Sequence, residues 1–594
     1  MTDEQQELRT ILWNEIFAFT HIFKSFRMAI HPSKMLLALA AIVAITIGGW
    51  VLDRLWQFGG QQVMRNEVSV YASSRSGDFK ATKDAWKKAR PLMASELLAE
   101  STNEAHFLAA YTNKLPAGRL ATAFAEKLSA ANAEMTRSKP FEIKSADSFR
   151  AEADKNWHKV LNQAKGRFGL QTERIGKLLA DAKHTASGQV KMLPGADRQK
   201  ETEQLARDCA KAEQALTVRR KDFAEQVLAI QGRGVFASLL DYENDCVSSA
   251  LSAVWRADLA SGLAYYGQTG GTELASAGFL YWALMAVQGL VWLLVEHWIY
   301  AILFLLLCLA AWALFGGAVY RIAALHAARE EKISAVQAMQ FSLGKFFSFL
   351  TAPLVPLAIV VVLGLLLALG GLLGNLGGLG AILVGVLFFV AIVVGLVVAF
   401  LLVGLTAGGA LMYPTIAVEG SDSFDAISRS FSYVFARPWR SILYGGVALV
   451  HGALCYLFVR LFAFLALVAA HTFVGWGIWT GGRKLGEGAT RLDVLWTAPT
   501  FQNLHEWTWA AMSGTEKLGA VLVGLWVYLV IGGVAAFLLS YLASSTTVIY
   551  YLLRRKVDAT DLDDVYVEEG PVEPAPEPAA AASPTAEAEG ESSA

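Results

Sequence analysis

FFSFLTAPLVPLAIVVVLGLLLALGGLLGNLGGLGAILVGVLFFVAIVVGLVVAFLLVGLTAGGALMYPTIAV, from Phe346 to Val418, contains no Lys, Arg, Asp, Glu or His. It is more than three times the roughly 20 apolar residues that cross a bilayer once, so it crosses at least twice. Its middle, GGLLGNLGGLG from Gly370 to Gly380, supplies a turn at Asn375 between spans near Ala352–Leu373 and Ala381–Leu405. Gly370, Gly374 and Gly378 recur every four residues, as do Gly404 and Gly408. Small residues at that spacing let helix backbones approach closely in lipid. The expected fold is all-α: a polytopic helical membrane protein of about six transmembrane helices, with an inserted, partly coiled-coil soluble domain.

Composition agrees with a divided chain. At 54% hydrophobic and a mean hydropathy of +0.40 it is too apolar to be soluble throughout, yet 17% charged residues are too many for an all-membrane chain. The charge gathers in Asp53–Glu273 and after Arg554. A net charge of −1 leaves no basic surplus for phosphate backbones, so nucleic acid is not an expected partner. The four cysteines are too few for a disulfide scaffold. Cys308 and Cys455 fall in apolar spans, whereas Cys209 and Cys246 lie in the polar region and could pair if it is extracytoplasmic. No CxxC and no Cys/His cluster at zinc spacing occurs, so no metal or cofactor is expected. Residues 1–34 carry Asp3, Glu4, Glu7 and Glu15 and do not read as a cleavable signal peptide.

Upstream of the charge-free block, Leu8, Leu12, Ile16, Phe19, Phe23 and Phe26 mark an amphipathic helix within residues 1–34. It suits either the headgroup plane or packing on a neighbouring helix, and Pro32 is expected to break it. The first span is residues 35–52, stopped by Asp53 and Arg54. Residues 53–275 read as a helical soluble domain rich in Ala, Leu, Glu and Lys. Within it Trp157, Leu161, Ala164, Phe168, Gln171, Ile175, Leu178 and Ala182 follow a 4-3-4-3 spacing. Leu205, Cys209, Ala212, Leu216, Arg219, Phe223 and, after a slip, Val227 and Ile230 continue it after the Pro-Gly turn of Met192–Asp197. Two such helices make an antiparallel coiled-coil hairpin near residues 150–231, with Gln171 and Arg219 fixing its register. Residues 276–298 are either a further membrane helix or an interfacial one, with Tyr281, Trp282, Trp292 and Trp298 at headgroup depth.

Residues 299–553 form the membrane domain, beginning with a span at Ile299–Tyr320 and a basic loop at Arg321–Lys345. After the charge-free block, EGSDSFDAISRSFSYVFARPWR (Glu419–Arg440) reads as a short helix on the membrane surface. Asp422 caps it, Asp425 suits its N-terminal dipole and pairs with Arg429 four residues on, and Arg437 and Arg440 anchor the next span. Phe424, Ile427, Phe431 and Val434 would form its apolar face. The span from Ser441 holds Arg460, placed to snorkel, and His451 near the midplane, an intramembrane ionisable group and so a candidate functional residue. The bland alternative for His451 is a neutral ring bonded to a neighbouring helix. His471–Lys517 is a Trp-rich loop, Leu518–Leu542 the last span, and residues 554–594 an acidic tail, disordered from about Gly570.

The basic segments Arg321–Lys345, Arg429–Arg440 and Arg554–Lys556 are expected in the cytoplasm of a bacterial inner membrane. Six crossings put both termini there and residues 53–275 in the periplasm; seven would put residues 53–275 in the cytoplasm. With its glycine-rich span pair, the Asp-Ala-Ile-x-Arg-Ser helix (Asp425–Ser430) and the following span, Arg321–Lys556 resembles an uncharacterised bacterial membrane-domain family. That family is related to the domain accompanying some glycerophosphodiester phosphodiesterases. The resemblance implies a membrane-embedded accessory domain without the phosphodiesterase activity. HExxH, GxSxG and kinase motifs are absent, and His505-Glu506 lacks a second histidine at Trp509, so no enzyme is expected. The expected function is a non-catalytic membrane scaffold or complex subunit that meets protein partners through its helical domain. The alternative is a transporter or channel for a small or lipid-like solute, resting on His451 and the glycine-broken spans.

Overall fold

The computed structural model describes residues 18–58, 62–73, 76–103, 108, 110–136, 145–263, 277–478, 490–505, 507, 512 and 514–567. In chain order the helices are α1 (Lys24–Ala29), α2 (Pro32–Phe58), α3 (Glu67–Ser73), α4 (Ser76–Thr102), α5 (Arg119–Thr136) and α6 (Ala146–Lys191). Then come α7 (Gly195–Gln231), α8 (Val235–Trp255), α9 (Phe279–Glu296), α10 (Trp298–Ala311), α11 (Gly317–Arg329) and α12 (Ala335–Gly344). The last are α13 (Phe346–Leu372), α14 (Gly377–Glu419), α15 (Ser423–Ala436), α16 (Pro438–Gly477), α17 (Arg491–Leu495) and α18 (Gly514–Val557). Among the described residues the only extended pairing is an isolated bridge between Val63 and Arg233. The protein is an all-α polytopic membrane protein. Among the described residues, 7 helical stretches are long and apolar enough to cross a bilayer: α2, α9, α10 continuing to Arg329, α13, α14, α16 and α18.

The chain divides into two compact units, one of residues 1–319 and 444–545, the other of residues 320–443 and 546–594. In the first, the heptad residues of α6 and α7 do not close on each other as a two-stranded seam. Ala153, Val160, Leu161 and Ala164 of α6 and Val227 and Ile230 of α7 share a core with Ala94, Leu97 and Leu98 of α4. Phe168, Ile175, Leu179 and Ala182 join Cys209, Ala212 and Leu216 around Leu120, Ala123 and Phe124 of α5. The hairpin is thus two members of a bundle, because α4 and α5 carry apolar faces of their own that need burial. The polar seam residues obey the same logic. Gln171 donates to the carbonyl of Ser101, and Arg219 pairs with Glu100, so both reach the end of α4.

At its other end the bundle narrows to a neck. Trp86 Nε1 donates to the Ala229 carbonyl at 2.8 Å, and Arg90 Nε to that of Ile230 at 3.0 Å. A guanidinium there satisfies orphan carbonyls and complements the C-terminal dipole of α7. Val63 and Arg233 then exchange backbone hydrogen bonds of 3.0 and 2.9 Å, which ties the chain entering the bundle to the chain leaving it. Gly232 sits at φ +73 with the Val63 carbonyl against its α-carbon, so no side chain fits.

Asp53 completes the neck. The sequence predicts it as the end of the first span, but α2 runs on to Phe58 and Asp53 is 5% exposed. Its carboxylate accepts from the amides of Phe236 at 2.9 Å and Ala237 at 3.0 Å, and from the Tyr300 hydroxyl at 2.8 Å. These amides belong to the first turn of α8, whose own N-cap, Gly234, has no side chain to offer. A Cβ on Gly234 would strike the Asp53 carboxylate. The aspartate is therefore a cap supplied from another helix, and its charge is balanced by the α8 dipole. Around it, Val235, Phe236, Leu239 and Tyr242 of α8 pack with Tyr281, Met285, Trp292, Tyr300 and Ala301 of α9 and α10.

Nearer the N-terminus, Leu8, Leu12 and Ile16 lie outside the described residues. The described chain opens with a 3₁₀ turn, Ala18–Phe23, and continues into α1. Ala29 and Phe26 pack on Cys455, Phe537 and Tyr541. The helix stops before Pro32, with His31 outside it, and Pro32 then opens α2, where its missing amide costs nothing. Cys209 and Cys246 are buried in separate cores and form no disulfide with each other.

Asp53→Ala removes a cap and leaves the buried Tyr300 hydroxyl only the Gly49 carbonyl at 3.5 Å, at a combined cost of about 2–4 kcal/mol. Thermal unfolding in detergent should show a clear fall in the apparent Tm, with Asp53→Asn intermediate because it keeps one acceptor oxygen.

Candidate functional site: a polar cleft at the neck

Beside the Val63–Arg233 bridge lies an open cleft of about 240 Å³. One wall is Arg65, Asn66 and Glu67 where the chain enters α3; the other is Arg233 with Ser238, Asp241 and Asp245 of α8. Asn66 holds a left-handed backbone at φ +63, a conformation asparagine tolerates better than most residues. Asp241 and Asp245 are four apart and share one face of α8. Arg233 pairs with Asp241, and Arg65 lies 3.8 Å from Glu225. Burial, and then the charge of Arg65, hold the Arg233 pKa below the usual guanidinium range. Burial raises that of Asp245.

The floor of the cleft is a charge cluster. Glu67 is fully buried, accepts from the Met64 amide at 2.9 Å and pairs with Lys83 Nζ at 2.7 Å. His297, the residue between α9 and α10, is 3.6 Å away, and Lys83 also reaches Glu296 at 3.4 Å. Burial alone would raise the Glu67 pKa, but His297 and Lys83 outweigh it and hold the carboxyl below its ordinary range. Behind the cleft Glu243 faces Gly289 of the apolar α9, with Oε1 buried and without a hydrogen-bond partner. Burial pushes its pKa up to about 7.

The residues singled out from sequence lie elsewhere. His451 Nδ1 is 2.9 Å from the Tyr541 hydroxyl and Nε2 is 3.4 Å from Cys455 Sγ, with Phe23 edge-on at 4.9 Å. Both ring nitrogens are therefore engaged by neighbours. Arg460 donates to the carbonyls of Phe501 at 3.1 Å and Gln502 at 3.0 Å.

In the second unit Asp422 caps α15 through the Asp425 amide at 2.9 Å, and Asp425 pairs with Arg429 at 2.9 Å. Arg437 ends the helix, and the Arg440 amide bonds to its carbonyl. The buried face overlaps the one read from spacing: Phe431 and Val434 are buried, with Ala426, Ser430 and Tyr433 beside them, but Phe424 is 69% exposed. Phe431 lies against Gly404 and Gly408, and Phe435 stacks on Phe400 at 4.3 Å. So α15 folds back along α14: Gly404 receives the Phe431 ring, and Gly408 meets both that ring and the backbone of Ser430. A Cβ at Gly370 or Gly378 would meet nothing within 4 Å.

The end of α14 is tied at several points. Gly420 turns the chain at φ +65, Arg321 donates to the Ala417 carbonyl at 2.8 Å, and the Tyr566 amide bonds to the Val418 carbonyl at 2.8 Å. Glu419 pairs with Arg554 at 2.8 Å and accepts from Tyr550 at 2.9 Å, while Arg554 also holds Asp564 at 2.7 Å. The start of the acidic tail is thus part of the fold; residues beyond 567 lie outside the described set.

The cleft is hard to find in the sequence because its residues come from positions about 170 apart, joined only by the neck. The legible signal is Gly232-Arg233-Gly234, two glycines around one arginine just after the heptad run. Among the described residues no group of three or more His, Cys, Asp or Glu is placed to hold a metal.

Glu243 supplies a pH test. Its pKa is raised from 4.5 to about 7 on folding, so ionisation opposes folding and the penalty grows as pH rises from 4.5 through 7. Glu243→Gln should raise the apparent Tm by about 2–6 °C at pH 8 and leave it unchanged at pH 4.5. No protein-family model, curated protein or solved structure matches the chain.

Proposed function

We propose that this chain is a non-catalytic scaffold or complex subunit of a bacterial inner membrane, whose helical bundle is the surface that protein partners meet. The observation that carries this is the reach of the bundle. At 46 residues, α6 extends about 70 Å with a kink at Asn156, and the hairpin tip exposes Met192 at 87%. Leu170 and Val218, both exposed, add apolar surface along its flank. Residues Arg321–Lys556 would be the accessory membrane domain, in keeping with the resemblance they carry.

We infer six crossings, with both termini cytoplasmic and the bundle periplasmic. Support comes from the neck. Asp53, near one end of α2, bonds to Tyr300 at the start of α10, and Glu67 lies beside His297. The chain between Asp53 and His297 therefore leaves and returns on one face of the bilayer. A single crossing by α9 would separate these pairs by the thickness of the membrane. Nor do α8 and α9 suit crossing together. They pack along each other, Tyr242 donating to the Met285 carbonyl at 2.9 Å, and α8 carries Asp241, Glu243 and Asp245. Carboxylates in the bilayer core are costly. An interfacial α9, with Leu284, Val287, Leu290 and Leu294 toward lipid, fits its exposed apolar face.

Single cysteines at Ser187 and Ser334 in a cysteine-free background test the sidedness with an impermeant thiol reagent on intact cells. Labelling of Ser187 alone is expected; protection of both until the cells are opened would overturn it. Photocrosslinking amino acids at Leu170 and Met192 should then give discrete protein adducts in cells. A strictly monomeric purified protein and no adduct at either position would contradict the scaffold reading.

A further inference from the structure

We propose that the neck cleft binds a phosphoethanolamine group, the zwitterionic headgroup chemistry of a membrane phospholipid. Its phosphate sits between Arg65 and Arg233, and its ammonium against Asp241 and Asp245. This inference is independent of the scaffold reading.

The first argument is Ser238. The residue is 8% exposed and lines the cleft, yet its hydroxyl is buried without a hydrogen-bond partner. A serine inside a helix ordinarily bonds back to the preceding turn. This one keeps its donor and acceptor capacity at the cleft wall, and a buried polar atom in that state points to a ligand atom as its partner. The second argument is the arrangement of charge. The arginines come one from each wall, and the charge of Arg65 disfavours that of Arg233, so an anion between them relieves their repulsion. On α8, Asp241 and Asp245 call for a cation with N–H groups to donate.

The anion must be held by side chains, because the amides at the start of α8 are already taken by Asp53. Arg233 pairs with Asp241, and Arg65 approaches Glu225. Pairs this accessible to water, with side chains 31–57% exposed, are weak, so a zwitterion can replace each with a contact of the same sign pattern. Size and position narrow the ligand further. The cleft, at about 240 Å³, is below the range of drug-sized pockets and suits a headgroup rather than a larger metabolite. Through Glu67 its floor touches Lys83 and His297, at the junction of the apolar helices α9 and α10. At that junction Trp56 packs on Tyr300 and the fully buried Trp292 on His297, so aromatic side chains back the site where the apolar helices meet. Choline would lose the ammonium hydrogen bonds, and a purely anionic headgroup would meet two carboxylates.

The test uses the full-length protein in phosphatidylcholine nanodiscs doped equally with phosphatidylethanolamine and phosphatidylglycerol, with retained lipid read by native mass spectrometry. The wild type should retain phosphatidylethanolamine about tenfold over either competitor. The double variant Arg65→Gln/Asp245→Asn, and separately Ser238→Ala, should bring the preference close to one. Titration with soluble phosphoethanolamine separates the sources. Displacement of the lipid, or a raised Tm without lipid selectivity, assigns the same cleft to a soluble ligand. Lipid selectivity without displacement assigns it to the lipid. Equal retention of the three lipids with no response to phosphoethanolamine overturns the proposal. So does a preference unchanged in both variants.

Discussion

A carboxylate from one helix that caps the first turn of another holds the neck of the first unit together. Asp53 sits far enough along α2 to reach the end of a bilayer crossing, and there it finds two free amides of α8 and the hydroxyl of Tyr300. A charged group this buried needs full compensation. The α8 dipole, two amides and a phenol provide it, and Gly234 leaves the space for it. Everything in the neck depends on that geometry. Arg233 is fixed opposite Val63, the bundle returns beside its point of departure, and the cleft opens between the two passes of the chain.

The second unit solves a similar problem differently. A helix as long as α14 ends in a run of orphan carbonyls. Here Arg321, the Tyr566 amide and the left-handed Gly420 meet them, and Arg554 bridges Glu419 to Asp564. The acids at the start of the tail pair with basic residues that hydropathy alone would assign to anchoring.

Much of this architecture is legible in sequence because lipid imposes length and apolarity on every crossing helix. The turn at Asn375, the heptad positions of α6 and α7 and the Asp422–Asp425–Arg429 arrangement are local patterns, and local patterns survive in a linear reading. The features that escape it depend on residues distant in the chain. Asp53 reads as a stop signal until Phe236 is beside it. Gln171 and Arg219 read as seam residues until Ser101 and Glu100 of α4 supply their partners. Gly404 and Gly408 read as a helix-packing pair, and only the reversal at Gly420 delivers Phe431 to them. His451 is compatible in sequence with both a functional and a bland role, and the contacts with Tyr541 and Cys455 occupy its two nitrogens.

Hydrogen exchange at the start of α8 tests the Asp53 cap most directly. In the wild type, the amides of Phe236 and Ala237 should be protected as strongly as the bundle core around Leu161 and Ile175, although first-turn amides normally exchange fast. With Asp53→Asn, exchange should accelerate at Phe236 and Ala237 while the core of α6 is unchanged. Unaltered protection of those two amides in the variant would contradict the cap as the constraint on which the neck depends.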